Sequence, residues 1–313
     1  QSKVDKWVMN EASASETMEA EFLVYLEDQA DLSGAAKLHT KVEKGRYVFD
    51  HLTEAAERTQ GPILAALEAQ GVEHRSYWIV NMIWVRGNMD SIEMLARRPD
   101  VEKIYGNPEV KLQELDTQLG IMATVQQDGV EWNLTMVNAD DVWAMGYTGE
   151  GVVIGGQDTG YDWNHPALIN QYRGWDGSTA DHNYNWHDAI HDDDAHTPEG
   201  NPCGFDSKVP CDDNSHGTHT MGIMVGDDGA GNQVGMAPGA KWIGCRNMEQ
   251  SWGTPATYIE CYQWFLAPTD LEDKNPRPDL APHIINNSWS CPIEEGCTDP
   301  NVLLTVVQNL RAA

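Results

Sequence analysis

The sequence contains few basic residues. Its 20 Lys and Arg stand against 49 Asp and Glu, which gives a formal net charge of -29. A surface of this sign repels nucleic acid phosphates and acidic membranes, so we expect neither as a partner. The surplus carboxylates indicate high solubility, and calcium binding by some of them as a structural ion is a second interpretation.

Long apolar runs are also missing. No stretch reaches the roughly 18 apolar residues that indicate a transmembrane helix. Residues 1–19 are polar, without the apolar core of a signal peptide, and we interpret them as a loosely attached lead segment.

Cys-x-x-Cys pairs, which are typical of zinc sites, are absent, although the chain contains six cysteines. Their even number and short spacing predict disulfides in an oxidising compartment, and thus a secreted, extracellular protein. The alternative is a set of reduced core cysteines. The predicted disulfides are Cys203–Cys211, Cys291–Cys297 and Cys245–Cys261.

Residues 20–112 show a pattern of strands and helices that we interpret as a βαββαβ, ferredoxin-like domain. Pro62 lies within the first helical stretch, so that stretch is either kinked or split into two helices. Residues 113–131 are polar and predict a linker. The predicted strands are 21–26, 77–85, 101–105 and 110–112, and the predicted helices are 47–70 and 91–97.

Residues 132–313 alternate between strands and helices. Strands are predicted at 152–156, 241–245 and 283–287, helices begin near Gly217 and Pro255, and an amphipathic helix covers 302–310. This alternation predicts an α/β fold, with a parallel sheet and helices on both of its faces.

Two short motifs carry the chemistry of this second region. Asp158, followed by Thr159-Gly160, ends an apolar strand, and His216 begins a helix in Ser-His-Gly-Thr-His. Asp followed by His in this order resembles the subtilisin-like serine proteases, the subtilase family. The resemblance extends from Glu21 to Leu310.

The resemblance implies a role for each matching residue. Asp158 would accept a hydrogen bond from the imidazole of His216, and His216 would be the general base. Ser288, Trp289 and Ser290 match the strand whose backbone lines the family's substrate cleft, with Ser290 where the family has Gly. The substrates would be peptides or proteins.

The first domain resembles the inhibitory propeptide of subtilases, through Tyr77–Asn81 and Leu95–Val101. The resemblance implies that its tail, from Lys111 to Asp116, lies against Ser288–Ser290. It also implies cleavage within residues 113–131. Ala167 replaces an Asp that often serves a calcium site in the family, so that site is not expected in its usual form. No cofactor is required by the implied reaction.

The family's nucleophilic serine lies in a Gly-Thr-Ser-Met-Ala-like turn, and no such motif occurs in this sequence. We therefore expect the serine, and the Asn of the oxyanion hole, to come from a C-terminal segment of the same protease. That segment is either a fragment cleaved after Ala313 and held in place, or the continuation of a longer chain; a truncated, inactive remnant is the third interpretation. The C-terminal fragment is the expected partner, and the parallel sheet is expected to be incomplete without it. The chain alone is predicted to have no peptidase activity.

Two other interpretations remain open at this point. One is an inactive subtilase-like binding or scaffold protein. The other is a metal-dependent hydrolase that uses the loop between Trp175 and Asn214. That loop is rich in possible ligands: His182, His187, His191, His196, Asp188 and Asp192–Asp194. Asp212 and Asp213 are expected to add a weak negative potential at the cleft rim.

Overall fold

The computed structural model describes residues 3–15, 18–112, 129–193, 196–197 and 200–313. Its helices are α1 Lys6–Ala14, α2 Lys41–Thr59, α3 Gly61–Ala69, α4 Met89–Ala96, α5 Trp132–Met136, α6 Ala139–Ala144, α7 His216–Val225, α8 Pro255–Leu266 and α9 Asn301–Ala312. Its strands are β1 Glu19–Leu26, β2 Glu73–Tyr77, β3 Met82–Asn88, β4 Val101–Gly106, β5 Val110–Lys111, β6 Gly129–Val130, β7 Val153–Asp158, β8 Trp186–Asp188, β9 Asn232–Gln233, β10 Lys241–Arg246, β11 Met248–Glu249, β12 Trp252–Gly253 and β13 Ile284–Asn287.

The chain forms two compact units, and each is built from segments that are separated in the sequence. The first consists of Gln1–Val110, Thr254–Ala267 and Cys291–Ala313, and the second of Lys111–Gly253 and Pro268–Ser290. Helices α8 and α9, which the sequence assigns to the catalytic region, thus belong to the same unit as the first domain. The positions of both helices agree with the sequence prediction.

The first unit contains an antiparallel sheet in the order β2-β3-β1-β4. Together with α2, α3 and α4 this is the predicted βαββαβ arrangement. Strand β1 pairs with β3 from Glu19↔Asn88 to Tyr25↔Met82. The core between sheet and helices is built from fully buried aliphatic and aromatic side chains such as Phe22, Val24, Leu67, Ile83 and Leu95.

The predicted strand 77–85 is wrong in one respect, because it contains a turn. Residues 78–81 connect β2 to β3, so the apolar run is a hairpin and not a single strand. The side chain of Asn81 holds this turn: its Nδ2 donates to the Asp28 carbonyl and to Thr59 Oγ1, both at 2.7 Å. Ile79 and Val80 are buried although they lie in a turn, and for this reason the turn is as apolar in sequence as a strand.

The interpretation of residues 1–19 as a loosely attached segment is wrong for the part that the structure describes. Residues 6–14 form α1, with Asp5 as its N-cap, and Val8 and Ala12 are buried against the sheet core. These two side chains are four residues apart and so share one helix face. Asp5 also accepts a hydrogen bond of 2.7 Å from Thr298 Oγ1, just after the Cys291–Cys297 loop.

The long helical stretch before Gly71 is divided into α2 and α3, as Pro62 allowed. Helix α3 begins at Gly61 and carries Pro62 in its first turn, where a missing N–H costs no helical hydrogen bond. Helix α2 begins earlier than predicted, at Lys41. A capping box between Thr40 and Glu43 explains this start, since each side chain accepts a backbone N–H of the other residue.

Helices α8 and α9 make polar contacts with the antiparallel domain inside the first unit. Gln263 Oε1 accepts the backbone N–H groups of Trp78 and Ile79, at 2.6 and 3.2 Å. Asn309 Nδ2 donates to the Ile79 carbonyl at 2.7 Å. Three backbone groups of the β2–β3 turn, the N–H groups of Trp78 and Ile79 and the Ile79 carbonyl, are thereby satisfied by side chains of the two helices.

The second unit contains a parallel sheet in the order β13-β7-β10-β8, which confirms the predicted α/β class. Strand β7 pairs with β10 from Val153↔Lys241 to Asp158↔Arg246. An aromatic cluster of Tyr161, Tyr172, Trp186 and Trp242 fills the core of this unit. Strand β13 lies at one edge, where Ile284 is 58% exposed.

Among the described residues, no helix combines the length and the apolar character that a membrane crossing requires.

Candidate active site

Asp158 is the last residue of β7, at the carboxyl edge of the parallel sheet. Its side chain is buried, with 1% of its surface exposed. The turn that follows depends on Gly160, whose φ is +109°. A Cβ at this position would lie 1.8 Å from the Cys211 carbonyl oxygen, so only glycine allows the two segments to come this close.

His216 is the first residue of α7, and its imidazole faces Asp158. The distance between His216 Nδ1 and Asp158 Oδ1 is 2.7 Å, which confirms the predicted approach of the two side chains. Asp158 also accepts hydrogen bonds from the Thr159 N–H at 2.8 Å and from Thr220 Oγ1 at 3.3 Å. The carboxylate is thus held by several donors, while the imidazole is 27% exposed and open to a reactant.

Close packing of α7 against the turn after β7 fixes this geometry. Gly217 donates its N–H to Thr159 Oγ1 at 3.0 Å. A Cβ on Gly217 would lie 2.0 Å from the Gly160 carbonyl oxygen. Any larger residue would therefore move His216 away from the strand that carries Asp158.

The predicted substrate-binding residues Ser288, Trp289 and Ser290 follow β13 directly. Trp289 donates its indole N–H to the Gln157 carbonyl at 3.2 Å, which places the segment beside the end of β7. Ser290 is exposed and Ser288 is half-buried. Contact of these residues with a substrate stays a prediction.

Ser251 and Trp252, which the sequence did not single out, lie beside Lys111 and Leu112 within the second unit. Leu112 donates its N–H to the Ser251 carbonyl at 2.7 Å, and the Lys111 ammonium lies 5.7 Å from the Trp252 ring centroid. The rest of the predicted tail, residues 113–116, lies outside the described residues, as does its predicted contact with Ser288–Ser290. The positive φ values of Gln250 and Ser251 have no signal in the sequence.

A buried ion cluster lies on the neighbouring strand. Arg246, at the end of β10, pairs with Asp213 at 2.7 Å and with Asp188 at 3.3 Å, and all three side chains are almost fully buried. Burial raises the pKa of both aspartates, and the charge of Arg246 opposes that rise. Asp188 comes from the loop after Trp175 and Asp213 from the segment before His216, so Arg246 ties both to the sheet.

Tyr161 packs over Gly156 of β7, inside the aromatic cluster. Burial raises the pKa of its hydroxyl well above the usual range, and the charges of Asp158 and Asp212 raise it further. The hydroxyl therefore stays protonated in the range where a histidine can act as a base, and it does not compete with His216 for that role.

The histidines of the loop between Trp175 and Asn214 point to separate partners. His182 Nδ1 lies 2.9 Å from the Tyr172 hydroxyl, His187 Nδ1 lies 3.3 Å from an Asp273 oxygen, and His191 pairs with Asp206 at 2.5 Å. His196 stacks on Trp252, with ring centroids 3.8 Å apart. Within the described residues, no three His, Cys, Asp or Glu side chains converge as metal ligands do. Asp194 lies outside them.

Two of the predicted disulfides are present, Cys203–Cys211 and Cys291–Cys297. Each lies within one unit and closes a short loop. No described cysteine is a free thiol, and this includes Cys245 and Cys261. Their pairing with each other stays a prediction.

Comparison with known proteins supports the same family throughout. Residues 149–305, half of the chain, match the model of the subtilase family. Bacillopeptidase F of Bacillus subtilis is 35% identical over 297 residues, which is 86% of this chain and 20% of that protein. The minor extracellular protease Vpr of the same species is 29% identical over 161 residues, 50% of this chain and 18% of Vpr. The chain thus spans about a fifth of the length of these relatives.

Solved structures share the fold. The chain is similar to a serine-to-alanine mutant of the epidermin leader peptide processing serine protease of Staphylococcus aureus, with a TM-score of 0.59 and 10% identity, covering 94% of this chain and 58% of that one. It is also similar to fervidolysin of Fervidobacterium pennivorans, with a TM-score of 0.51 and 16% identity, covering 93% of this chain and 38% of that one. The fold, the extent of the family match and the order of Asp158 and His216 agree: the chain belongs to the subtilase family.

Proposed function

We propose that this chain is the propeptide and the N-terminal part of the catalytic domain of a secreted serine endopeptidase. The observation that carries the proposal is the 2.7 Å hydrogen bond between Asp158 and His216 at the carboxyl edge of a parallel sheet. Membership of the subtilase family supports the reaction class, which is hydrolysis of peptide bonds by an Asp-His-Ser triad.

In this mechanism Asp158 keeps Nδ1 of His216 protonated, so that Nε2 is the basic nitrogen. Nε2 takes the hydroxyl proton of the nucleophilic serine as the serine oxygen bonds to the carbonyl carbon of the substrate. Nε2 then gives this proton to the amide nitrogen as the C–N bond breaks, leaving an acyl-enzyme that water hydrolyses by the same route. The buried charge of Asp158 stabilises the imidazolium formed between these steps.

The serine and the Asn that donates to the oxyanion would come from a second polypeptide segment, the C-terminal part of the same protease. Two observations support this partner. The sequence contains no Gly-Thr-Ser motif, and the edge strand β13 exposes Ile284. Parallel sheets are normally covered on their faces and edges, so a further strand beside β13 would bury a surface that is now open.

The substrate would be a peptide in extended conformation. The backbone hydrogen bond from Leu112 to Ser251 supports this, because it is the type of contact by which an added strand is held. In the proposed zymogen the tail of the propeptide occupies this place and blocks the cleft. Ser288–Ser290 would form the opposite wall.

Secretion is supported by the disulfides Cys203–Cys211 and Cys291–Cys297, since such bonds persist in oxidising compartments. The relative Vpr is named an extracellular protease. The proposed reaction uses side chains and water alone, and calcium would serve as a structural ion.

The proposal is tested by assaying the purified 313-residue chain on casein, alone and with the C-terminal segment supplied. We expect no turnover by the chain alone, and turnover that a serine-directed phosphonate blocks when the segment is present. In the complete protease, Asp158→Ala or His216→Ala should lower kcat by at least about 10⁴-fold.

His219→Ala is the matched control, because His219 lies one turn along the same helix, is exposed, and has no part in the proposed mechanism. It should keep activity near the wild-type level. Phosphonate-sensitive turnover by the 313-residue chain alone would contradict the proposal, because it would place the nucleophile within this chain.

A further inference from the structure

The carboxylate of Asp212 joins the two segments that carry Asp158 and His216. Its Oδ1 accepts hydrogen bonds from Thr159 Oγ1 at 2.8 Å and from the Ser215 N–H at 2.9 Å. Its Oδ2 accepts from the Thr218 N–H at 2.9 Å and from Thr218 Oγ1 at 2.5 Å. One side chain thus contacts the turn after β7 and both sides of His216 in the sequence.

Helix α7 needs this carboxylate because its own N-cap residue does not serve it. Ser215 has a left-handed backbone, with φ +73° and ψ -5°, and its side chain makes no capping hydrogen bond. The first N–H groups of a helix have no partners within the helix and carry a partial positive charge. Asp212, three residues before the cap, supplies both the acceptor and the negative charge.

The contact with Thr159 completes a closed ring of hydrogen bonds. Thr159 donates its N–H to Asp158 and its hydroxyl to Asp212, and the same hydroxyl accepts the N–H of Gly217. The ring returns to Asp158 through the imidazole of His216. Asp158 and His216 are therefore both linked to the carboxylate of Asp212 through residues next to them in the sequence.

We propose that Asp212 is a positioning residue that holds the imidazole of His216 in the orientation required for proton transfer. It acts by fixing the turn after Asp158 and the start of α7 to each other, and it touches neither the substrate nor the reacting atoms. This inference rests on the proposed function. It replaces the expectation that Asp212 adds only a weak potential at the cleft rim.

Asp213 provides a control of the same charge at the adjacent position. Its carboxylate points to Arg246, at 2.7 Å, and accepts the N–H of Gln250 at 2.9 Å. It thus contributes to the buried ion cluster and not to the ring around His216. Thr218→Val is the second test variant, because it removes a donor to Asp212 without changing any charge.

The experiment is NMR of the 313-residue chain labelled at histidine, with the His216 ring signals followed through a pH titration. The wild type should show a low-field Nδ1 proton, the signature of a short bond to Asp158. Asp212→Asn should weaken or abolish this signal, and Thr218→Val should weaken it in part. Asp213→Asn should lower stability yet keep the signal.

The outcomes separate this inference from the function on which it rests. If Asp212→Asn and Thr218→Val both keep the wild-type Nδ1 signal, Asp212 does not position His216, and the proposed pair still stands. If Asp158→Asn also keeps the signal, the proposed function itself fails. In the complete protease, Thr218→Val should reduce kcat with little change in KM. If Thr218→Val instead raises KM and leaves kcat unchanged, the inference is overturned.

Discussion

Two arginines, each on an inner strand of its sheet and each between two carboxylates, show how the two units differ. Arg86 on β3 pairs with Glu21 at 2.8 Å and with Glu73 at 2.9 Å, and 32% of its side-chain surface is exposed. Arg246 on β10 also pairs with two carboxylates, those of Asp188 and Asp213, but its side chain is completely buried. Similar ion pairs therefore lie in water on one sheet and in the interior on the other.

The difference follows from where each arginine lies. Arg86 is near the end of β3, two residues before the exposed Asn88, whereas Arg246 ends β10 beneath the segments that carry Asp188 and Asp213. The carboxylates that pair with Arg86 are also partly exposed, with 31% of the Glu21 side chain and 50% of the Glu73 side chain accessible. On the parallel sheet a charge must be matched by other buried groups, and here those groups come from the loops around the candidate site. Both units contain buried polar contacts, such as those of Asn81 in the first, but the ion pairs of Arg86 are partly exposed and those of Arg246 are buried.

The largest expected effect compares the two arginines directly. Arg246→Met leaves two buried carboxylates without their cation and should lower the free energy of unfolding by about 3–5 kcal/mol. Arg86→Met removes partly exposed pairs and should cost about 1 kcal/mol or less. Urea unfolding measures both, and equal losses would contradict the comparison.

A second pair of variants tests how tightly each unit is packed. Gly217→Ala places a Cβ 2.0 Å from the Gly160 carbonyl oxygen, and relieving that contact should cost about 1–3 kcal/mol. Gly61→Ala, at the start of α3, meets no atom within 4 Å. It should stabilise the protein by about 0.4–1 kcal/mol by restricting the unfolded chain. Thermal unfolding gives both values, and a stabilising Gly217→Ala would refute the packing described here.

The smallest expected effect concerns how stability depends on pH, which should have opposite signs for Asp100 and Asp188. Hydrogen bonds from Arg98 lower the pKa of Asp100, so its contribution to stability is present above the ordinary pKa of 3.8 and is lost as the pH falls. Burial raises the pKa of Asp188, so its protonated form is favoured by folding. Its contribution is greatest below 3.8 and declines as the pH rises through the raised value.

This prediction is measured as the stability of the wild type relative to Asp100→Asn and to Asp188→Asn across the acid range. The first difference should increase with pH and the second should decrease. Slopes of the same sign would show that burial does not dominate the titration of Asp188.

The sequence predicts what depends on neighbours in the chain. Pro62 marks the division between α2 and α3, and the local cysteine pairs form their disulfides. Asp158 and His216 lie in separate motifs, and their approach was predicted because each motif resembles a segment of one known family. The hydrogen bond between them agrees with that prediction.

What the sequence did not predict depends on contacts over long distances or on exceptions to local patterns. The turn at residues 78–81 has a strand-like composition because Ile79 and Val80 are buried. Arg246 gives no sign in the sequence that its partners are Asp188 and Asp213, which lie in distant segments. Helix α1 could have been found from the spacing of Val8 and Ala12 after the N-cap Asp5.

The paired strands of the two sheets differ in how far apart they lie in the sequence, and this difference has a consequence for the time course of folding. In the antiparallel sheet Tyr77 pairs with Met82 across one short turn, so this hairpin can form from local contacts. In the parallel sheet Ile154 pairs with Trp242 and with Ile284, both from much later in the chain. Closing such long loops is slow, and we expect the hairpin to precede the strand pairing that carries Asp158. The residues proposed for catalysis would then be brought together late in folding, after the local contacts of the first unit have formed.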